Sequence, residues 1–554
     1  MDWPVVKTWL TWFRPGCSKP LVINQTILPL LLIALLAACG NAAQAASTAT
    51  SVDVGRDLYM KGLRADGKPL TAIVSGDVKM LGTQFSCDSC HGISGMGSRE
   101  ASVIVPVIAG SKLFAPAAQP PRPAYDHKSL AKVLRDGVTP TGRKLDRLMP
   151  RFRLTDNEVK ALAAYLHTLT TDPSPGVDEL TIRFATVITD NSSLEEQKAV
   201  LAVTTRFAEE KSRQTRIEGK RWDRGSTPES RLHTIHRDWV LDVWRLSGDE
   251  AGWAEQLANY YKKKPVFAIL GGLLPENPEP LARFCEQNAI PCILPSTRYP
   301  VPGEGNLYNL YSIYYSAGLG LEADLMATHL KDVAYDQLIQ VYCAPSAARA
   351  ADRLEKDLTG HAGKTARVSF DCKKELPVDQ LKALMKAPGN AVLVFWLDKK
   401  QFSKLSVPAG SRVYLSSMLI GDQLESLSVS GSDSVYLAHP YRLPGRVDPA
   451  FRRLQAWAKV RKIDLTYPRQ QSEAFFTSLL MSEMVKHLDG FYTRKYVLDL
   501  VGHTQGMDLY MPYYPRATFG PGQIYVNKGG YVLPVVDGKL DTRKTEWIIP
   551  EFKP

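Results

Sequence analysis

The distribution of apolar and polar residues marks the N-terminus of the chain as a separate part. Residues 27–38 are almost wholly apolar, and they follow a segment that carries basic side chains. At about a dozen residues, this run is shorter than the roughly 20 that a membrane-spanning helix needs. The pattern predicts an export signal over residues 1–38, followed by a spacer of small residues over 39–51.

Further along, the apolar residues recur at helical intervals. Residues 155–158 have the Ser/Thr-x-x-Glu form of a capping box, and the apolar positions of a helix follow, at Val159, Leu162, Ala163, Leu166 and Leu169. A cluster of Pro, Ser and Gly then predicts a linker at 171–178. We therefore expect a first domain over residues 52–170.

Beyond the linker, short apolar runs alternate with helical stretches. These runs are residues 182–189, 266–270, 340–343, 391–396, 413–416 and 434–438. Such alternation predicts βαβ units around parallel sheets, in a second domain that covers 179–554.

Composition agrees with a folded, multidomain protein. The chain has 554 residues, of which 44% are hydrophobic and 23% are charged. The formal net charge is +11, but the basic residues are spread along the chain without a long Lys/Arg run or a nucleic-acid-binding motif. We therefore predict no nucleic-acid partner.

The strongest chemical signal is the segment Cys87-Asp88-Ser89-Cys90-His91, a C-x-x-C-H motif. Two thiols at this spacing can bond to the vinyl groups of one haem, and the adjacent imidazole can then bind the iron. A thioredoxin-like redox pair would need a strand-to-helix position in a βαβ unit, and a zinc site would need a second Cys/His pair nearby. The motif predicts one covalently bound haem c, with His91 as an iron ligand.

The second iron ligand is expected downstream, and Met149 is the best candidate. Pro150 disfavours helical geometry for the residue before it, so the thioether of Met149 can face the iron from an extended segment. Core packing is the alternative role for Met149, because most methionines only fill space. The other local candidates are Met80, Met96, His127 and His167.

With these motifs, residues 52–169 resemble a class I monohaem cytochrome c. The resemblance implies a small all-α domain whose first and last helices cross and pack together. It also implies that the carbonyl of Pro106 orients the His91 ring and that Met149 is the distal ligand. Because His and Met would fill both axial positions, the resemblance implies one-electron transfer rather than oxygen or peroxide chemistry.

The end of the export signal resembles the lipobox of bacterial lipoproteins, in the run Leu36-Ala37-Ala38-Cys39-Gly40. The resemblance implies that Cys39 is lipidated and tethers the protein to a membrane, with the outer membrane favoured because Gly rather than Asp follows it. The alternative is cleavage after residues 43–45, which would release a soluble periplasmic protein.

Four further cysteines remain for the second domain. In an oxidising compartment they are expected to form disulfides, Cys285 with Cys292 and Cys343 with Cys372, in sequence order. Four buried free thiols are the alternative.

The second domain resembles type I periplasmic substrate-binding proteins of the branched-chain amino acid or amide group, in residues 253–272 and 284–297. The resemblance implies a two-lobed α/β fold that closes over a small-molecule ligand, with Gly271, Gly272, Ser296 and Thr297 at the matching ligand positions. Where the family has a small, hydroxyl-bearing loop, this chain has residues 273–278 with the acidic Glu276, which argues against an amino-acid ligand.

Two hypotheses follow for the whole chain. The first is a periplasmic electron carrier whose second domain docks a redox partner protein. The second is a solute-binding or sensing protein of an ABC-transporter-like system whose haem is accessory. A haem enzyme ranks behind both, because no catalytic motif stands out and an enzyme would need an open coordination position.

Overall fold

The computed structural model describes residues 50–551, apart from 76, 101–102, 226–236, 301–309, 362, 375–376, 386–389, 403–410, 422–423, 425–433, 446–447, 505–510, 521, 537 and 544. The predicted export signal (1–38) and most of the spacer, with Cys39, lie outside this range. Among the described residues, no helix combines the length and the apolar character needed to cross a membrane.

The small N-terminal domain is built on short helices with well-formed caps. Its helices are α1 (Ser51–Lys61), α2 (Asp88–His91), α3 (Gly110–Leu113), α4 (His127–Asp136) and α5 (Asp156–His167). Thr155 and Glu158 form the capping box at the start of α5, which confirms the sequence prediction. Thr50 and Asp53 form another at the start of α1.

Helices α1 and α5 pack against each other at Gly55. A Cβ atom at this position would collide with the backbone carbonyl of Ala161 on α5, so the glycine permits the close approach. The core around this contact includes Leu58 and Tyr59 of α1 and Leu162 and Leu166 of α5. The expected packing of the first and last helices is therefore confirmed.

The small domain is not all-α, which corrects the expectation from the resemblance. Its strands are β1 (Thr71–Val74), β2 (Val78–Leu81), β3 (Arg99–Glu100), β4 (Val103–Ile104), β5 (Ala117–Ala118), β6 (Pro121–Arg122) and β7 (Arg151–Phe152). Strands β2, β1 and β7 form an antiparallel sheet in that order, and the others form two short hairpins. The sheet forms because the segment after Met149 is extended and pairs with β1.

The first lobe of the larger region is a parallel sheet with helices on both faces. It contains β8 (Thr181–Thr189), α6 (Leu194–Gly225), β9 (Asp238–Leu246), α7 (Trp253–Lys263), β10 (Ala268–Leu270), α8 (Glu279–Gln287), β11 (Cys292–Ile293) and β12 (Ser312–Ile313). The strand order is β12-β11-β10-β8-β9, and every pairing is parallel. Helices α7 and α8 cover one face, around Trp253 and Phe284.

The second lobe has a larger, mostly parallel sheet. It contains α9 (Leu319–Leu330), β13 (Gln337–Tyr342), α10 (Pro345–Asp357), β14 (Lys364–Ser369), α11 (Val378–Met385), β15 (Ala391–Trp396), α12 (Lys399–Phe402), β16 (Arg412–Ser416), α13 (Ser417–Ile420), β17 (Ser434–His439), β18 (Tyr531–Val536) and β19 (Lys539–Leu540). The strand order is β14-β13-β15-β16-β17-β18-β19, and only β18 and β19 run antiparallel to their neighbours. Each predicted strand run thus overlaps a strand of one of the two lobes, although residues 266–267 and 343 lie outside the strands.

After β17 the chain returns to the first lobe as three helices, α14 (Pro449–Val460), α15 (Pro468–Lys486) and α16 (Arg494–Gly502). Phe476 and Leu480 of α15 and Val497 of α16 join Phe184 of β8 in one buried core. The C-terminal helices therefore complete the face of the first sheet that α7 and α8 leave uncovered.

Candidate functional site

One helical turn carries the sulfur and nitrogen groups of the C-x-x-C-H motif. Cys87 precedes α2, and the N–H of His91 donates to the carbonyl of Cys87 at 2.9 Å, so that Cys87, Cys90 and His91 share a single turn. Cys87 and Cys90 both carry thiols. Burial, followed by the negative charge of Asp88, raises the pKa of the Cys87 thiol to about 12. The turn therefore presents a neutral thiol beside the imidazole.

The His91 ring is held by a backbone carbonyl. Its Nδ1 lies 3.0 Å from the carbonyl oxygen of Pro106, and the side chain is buried. Burial lowers the pKa of His91 to about 4, so the imidazole is neutral near pH 7. The carbonyl can only accept a hydrogen bond, which places the ring proton on Nδ1 and leaves the lone pair on Nε2 for a metal.

Tyr59 anchors the turn to α1, a role that the sequence pattern did not reveal. Its hydroxyl donates to the carbonyl of Gly92 at 2.6 Å, and its own carbonyl accepts from the N–H of Cys87 at 2.9 Å. Ser98 adds a hydrogen bond from its Oγ to the carbonyl of Cys90 at 2.9 Å. Both ends of the turn are therefore tied to neighbouring segments.

Met149 lies partly buried against the same core as Cys87. The guanidinium of Arg151 binds three carbonyls of the loop that carries it: those of Leu145 at 3.1 Å, Asp146 at 3.2 Å and Met149 itself. An arginine two residues after a methionine forms no recognisable motif, so the sequence did not reveal the role of Arg151. The structure nevertheless makes it the residue that organises the Met149 loop.

The other candidate ligands lie in different settings. Met96 is buried next to the turn, whereas Met80 is partly exposed on β2. His127 is exposed at the start of α4, and the exposed His167 stacks on Phe114 with 3.9 Å between ring centroids.

The donor set fits haem c. The turn offers two thiols for thioether bonds and a neutral, oriented imidazole for the iron, and a thioether borders the same core. Cys87, Cys90, His91 and Met149 are the residues that would hold the group, and Pro106 would orient the proximal ring.

A second group of predicted site residues lies at the carboxyl ends of β10 and β11. Ser296 N–H donates to the carbonyl of Gly272 at 3.0 Å, and Gly271 N–H donates to that of Ile293 at 2.9 Å. Gly271 faces open space, and within the described part of the chain the Thr297 hydroxyl has no hydrogen-bond partner. The structure thus brings Gly271, Gly272, Ser296 and Thr297 together.

A carboxylate of the chain itself, that of Glu473, lies in this region. Glu473 of α15, which is 4% exposed, accepts from Ser296 Oγ at 2.7 Å and from the Tyr514 hydroxyl at 2.9 Å. The guanidinium of Arg469 pairs with the same carboxylate at 2.9 Å. The hydroxyl of Ser296 is therefore already engaged.

Glu276 connects the two lobes directly. It follows β10 in the first lobe and accepts hydrogen bonds from Ser346 of the second lobe, from Oγ at 2.7 Å and from the N–H at 3.3 Å. Arg298 of the first lobe pairs with the same carboxylate. An acidic side chain thus sits at the N-terminus of α10, a position that favours negative charge.

Two disulfides lie in the larger region. Cys285 at the end of α8 is joined to Cys292 of β11, and Cys343 after β13 is joined to Cys372 after β14. Among the described residues, no group of three or more His, Cys, Asp or Glu side chains is arranged to hold a metal ion.

Comparison with known proteins gives different matches for the small N-terminal domain and for the chain as a whole. The cytochrome c family model matches residues 79–170. No curated protein matches the chain.

Among solved structures, the chain is similar to a leucine-binding protein from Thermotoga maritima, with 11% identity, a TM-score of 0.49, and coverage of 67% of this chain and 99% of that one. It is also similar to a branched-chain amino acid ABC transporter protein from Thermus thermophilus with bound valine (10% identity, TM-score 0.47, coverage 66% and 97%). A third is a substrate-binding periplasmic protein from Ralstonia solanacearum (16% identity, TM-score 0.46, coverage 65% and 99%).

The motif, the oriented histidine and the family match all fall in the same segment. Residues 79–170 of this chain are a cytochrome c domain, which precedes a region of two α/β lobes.

Proposed function

We propose that this protein transfers single electrons through one covalently bound haem c. Cys87 and Cys90 would attach the group, and His91 and Met149 would bind its iron. When bound, the group supplies a one-electron iron couple. The observation that carries this proposal is the single turn with two thiols and an imidazole whose Nδ1 faces the Pro106 carbonyl. Because His91 and Met149 would both bind the iron, electron transfer would be favoured over catalysis there, and we propose no enzymatic activity.

The proposed compartment is the periplasm. Residues 1–38 would direct export, and lipidation of Cys39 would tether the protein, with the outer membrane favoured over release as a soluble periplasmic protein. The two disulfides of the larger region support an oxidising compartment.

The two lobes are proposed to dock a periplasmic redox partner protein. Glu473 binds the hydroxyl of Ser296, and Glu276 bridges the lobes, so the chain itself makes contacts that a ligand would otherwise make. Solute binding is a second candidate, supported by the open space beside Gly271 and the hydroxyl of Thr297.

An anaerobic redox titration of the matured protein, followed by optical spectroscopy, tests this proposal. The expected result is one reversible one-electron couple and a methionine-to-iron charge-transfer band in the oxidised protein. Met149→Ala should lose that band, while Met80→Ala should keep it. Persistence of the band in Met149→Ala would reject the distal assignment.

The same titration, repeated with a panel of small solutes, distinguishes the two proposed roles of the lobes, which are partner docking and solute binding. An unchanged potential supports partner docking. A potential that shifts with one solute favours sensing instead.

A further inference from the structure

The loop after His91 is bound by a residue from the far end of the chain. The carboxylate of Asp499, on α16, accepts hydrogen bonds from the N–H of Ile93 at 2.8 Å and the N–H of Ser94 at 3.0 Å. The hydroxyl of Ser94 donates to the same carboxylate. Three donors from two adjacent residues thus converge on a single side chain of the larger region.

The close approach depends on Gly92. This residue has φ 72°, in the left-handed region, and a Cβ atom here would lie 2.5 Å from Oδ2 of Asp499. Residue 92 adjoins His91 and also accepts the hydrogen bond from Tyr59. The carboxylate therefore touches the segment through which His91 is held.

The helix that carries Asp499 is fastened by hydrogen bonds of Arg494. Arg494, at the start of the same helix, donates to the carbonyls of Phe267 and Asn288 in the first lobe, both at 3.1 Å. It also donates to the carbonyl of Pro175 in the linker at 3.2 Å. Helix α16 is thus fastened to the first lobe and to the linker, so the position of Asp499 is set by both.

Two neighbouring contacts extend the interface. The side chain of Ile93 packs against the core of the first lobe. The ammonium of Lys495 lies 5.3 Å from the centroid of the Tyr165 ring, on α5 of the cytochrome domain. The contact at Asp499 therefore belongs to a continuous surface between the two regions.

We propose that Asp499 is a positioning residue of the haem site: it holds residues 92–94, and through them His91, so that both regions of the chain build one site. The predicted effect of Asp499 on the midpoint potential rests on the proposed function, whereas its predicted effect on hydrogen exchange does not. With haem bound, a carboxylate beside the His91 turn would place negative charge near the iron and would favour the ferric state.

The hydrogen bonds are tested by amide hydrogen exchange in the full chain, on the peptide that covers residues 90–97. Asp499→Asn and Asp499→Ala should exchange roughly tenfold faster at Ile93 and Ser94 than the wild type, because these N–H groups lose a charged acceptor. Asp489→Asn, which removes an exposed carboxylate before the same helix, is the matched control and should not change the rate. Unchanged exchange in both Asp499 variants would overturn the proposal.

The midpoint potential supplies the second readout, measured at pH 8 on the matured protein. Asp499→Asn should raise the potential, and Asp489→Asn should change it far less. If the Asp499 variants do not fold, Ser94→Ala removes the hydroxyl donor and should still accelerate exchange at the amides of Ile93 and residue 94. No acceleration would overturn the proposal.

The two proposals fail in different ways. A wild-type chain without covalent haem would defeat the proposed function, while the exchange experiment would still test the Asp499 contact. A wild-type protein with a normal couple, and Asp499 variants with unchanged exchange and potential, would defeat only the further inference.

Discussion

Burial and a backbone carbonyl act in opposite directions on the His91 imidazole. Burial disfavours the cationic ring, whereas the Pro106 carbonyl favours it by accepting a hydrogen bond. Burial is the larger effect, because the pKa falls to about 4. The carbonyl therefore orients the ring without keeping it protonated at neutral pH, and this neutral form is the one that can bind a metal.

Arg151 should stabilise the bond between Met149 and the iron. Arg151→Lys cannot reach the three carbonyls that the guanidinium binds, so the Met149 loop should open more easily. We expect external imidazole to displace the methionine at roughly tenfold lower concentration, followed as loss of the charge-transfer band. Arg147→Lys, at an exposed position of the same loop, is the control. Equal imidazole affinity in the variant and the wild type would contradict this role.

The carboxylate of Glu473 should fill an anion site formed by Arg469, Ser296 and Tyr514. Glu473→Ala leaves Arg469 and the hydroxyls of Ser296 and Tyr514 without their carboxylate, and the loss of one partner of a buried ion pair costs about 3–5 kcal/mol. Acetate should restore part of this stability, so the melting temperature of the variant should rise more in acetate than in chloride at equal ionic strength.

The control for the acetate experiment is Glu483→Ala. It removes a carboxylate from the same helix that pairs with the exposed Lys486 at 2.7 Å. This variant should show no specific response to acetate. An equal response in the two variants would mean that no anion site forms at position 473.

At the level of elements, the sequence predicted those parts whose signals are local. The capping box at Thr155 marked the start of α5, and the apolar runs marked strands β8, β10, β13, β15, β16 and β17, although they missed β9 and β14. The sheet of the small domain escaped prediction because its strands are only two to four residues long and because β7 pairs with β1 across a large sequence separation. Pairing of that kind depends on the tertiary fold rather than on periodicity.

The α1–α5 crossing should be sensitive to one methyl group. Gly55→Ala would improve helix propensity by about 0.5–1 kcal/mol, yet its Cβ would meet the Ala161 carbonyl. We expect a net loss of about 1–3 kcal/mol, measured by thermal unfolding of the haem-containing domain at the Soret band. Val52→Ala, on the exposed side of α1, should have little effect. A higher melting temperature for Gly55→Ala would show that the helices are not in close contact.

At the scale of the whole molecule, the candidate site divides into a local and a non-local part. Cys87, Cys90 and His91 lie within five consecutive residues, so their spacing alone indicated the chemistry. Asp499 is 406 residues from Ile93, and no pattern in the sequence connects them. Glu473 likewise meets Ser296 across 177 residues. These contacts exist only because the C-terminal helices return to the first lobe.

Glu322 should make the stability of the larger region depend on pH. It is fully buried and accepts from the N–H of Met418 and the hydroxyl of Ser417, and burial raises its pKa from 4.5 to about 7. Between these pH values the folded protein holds a proton that the unfolded chain has released. Stability therefore falls as the pH rises through this window, by about 3 kcal/mol in total.

Glu322→Gln should remove the part of this dependence that Glu322 causes, which is clearest between about pH 6 and 7, and should be the more stable protein at pH 8. Tryptophan fluorescence can follow the unfolding of the larger region at each pH, because residues 51–170 contain no tryptophan. A dependence of the same sign should remain below about pH 6, since burial also raises the pKa values of Asp324 and Asp499 from 3.8 to about 6. Parallel pH profiles for the variant and the wild type would contradict the assignment.

The most direct test of the central claim is to count the haem that stays bound after the matured protein is denatured and extracted with acid acetone. We predict one haem per chain that resists extraction, and none in the Cys87→Ala, Cys90→Ala double variant. A wild-type chain that is colourless, or whose haem is extracted completely, would contradict the account.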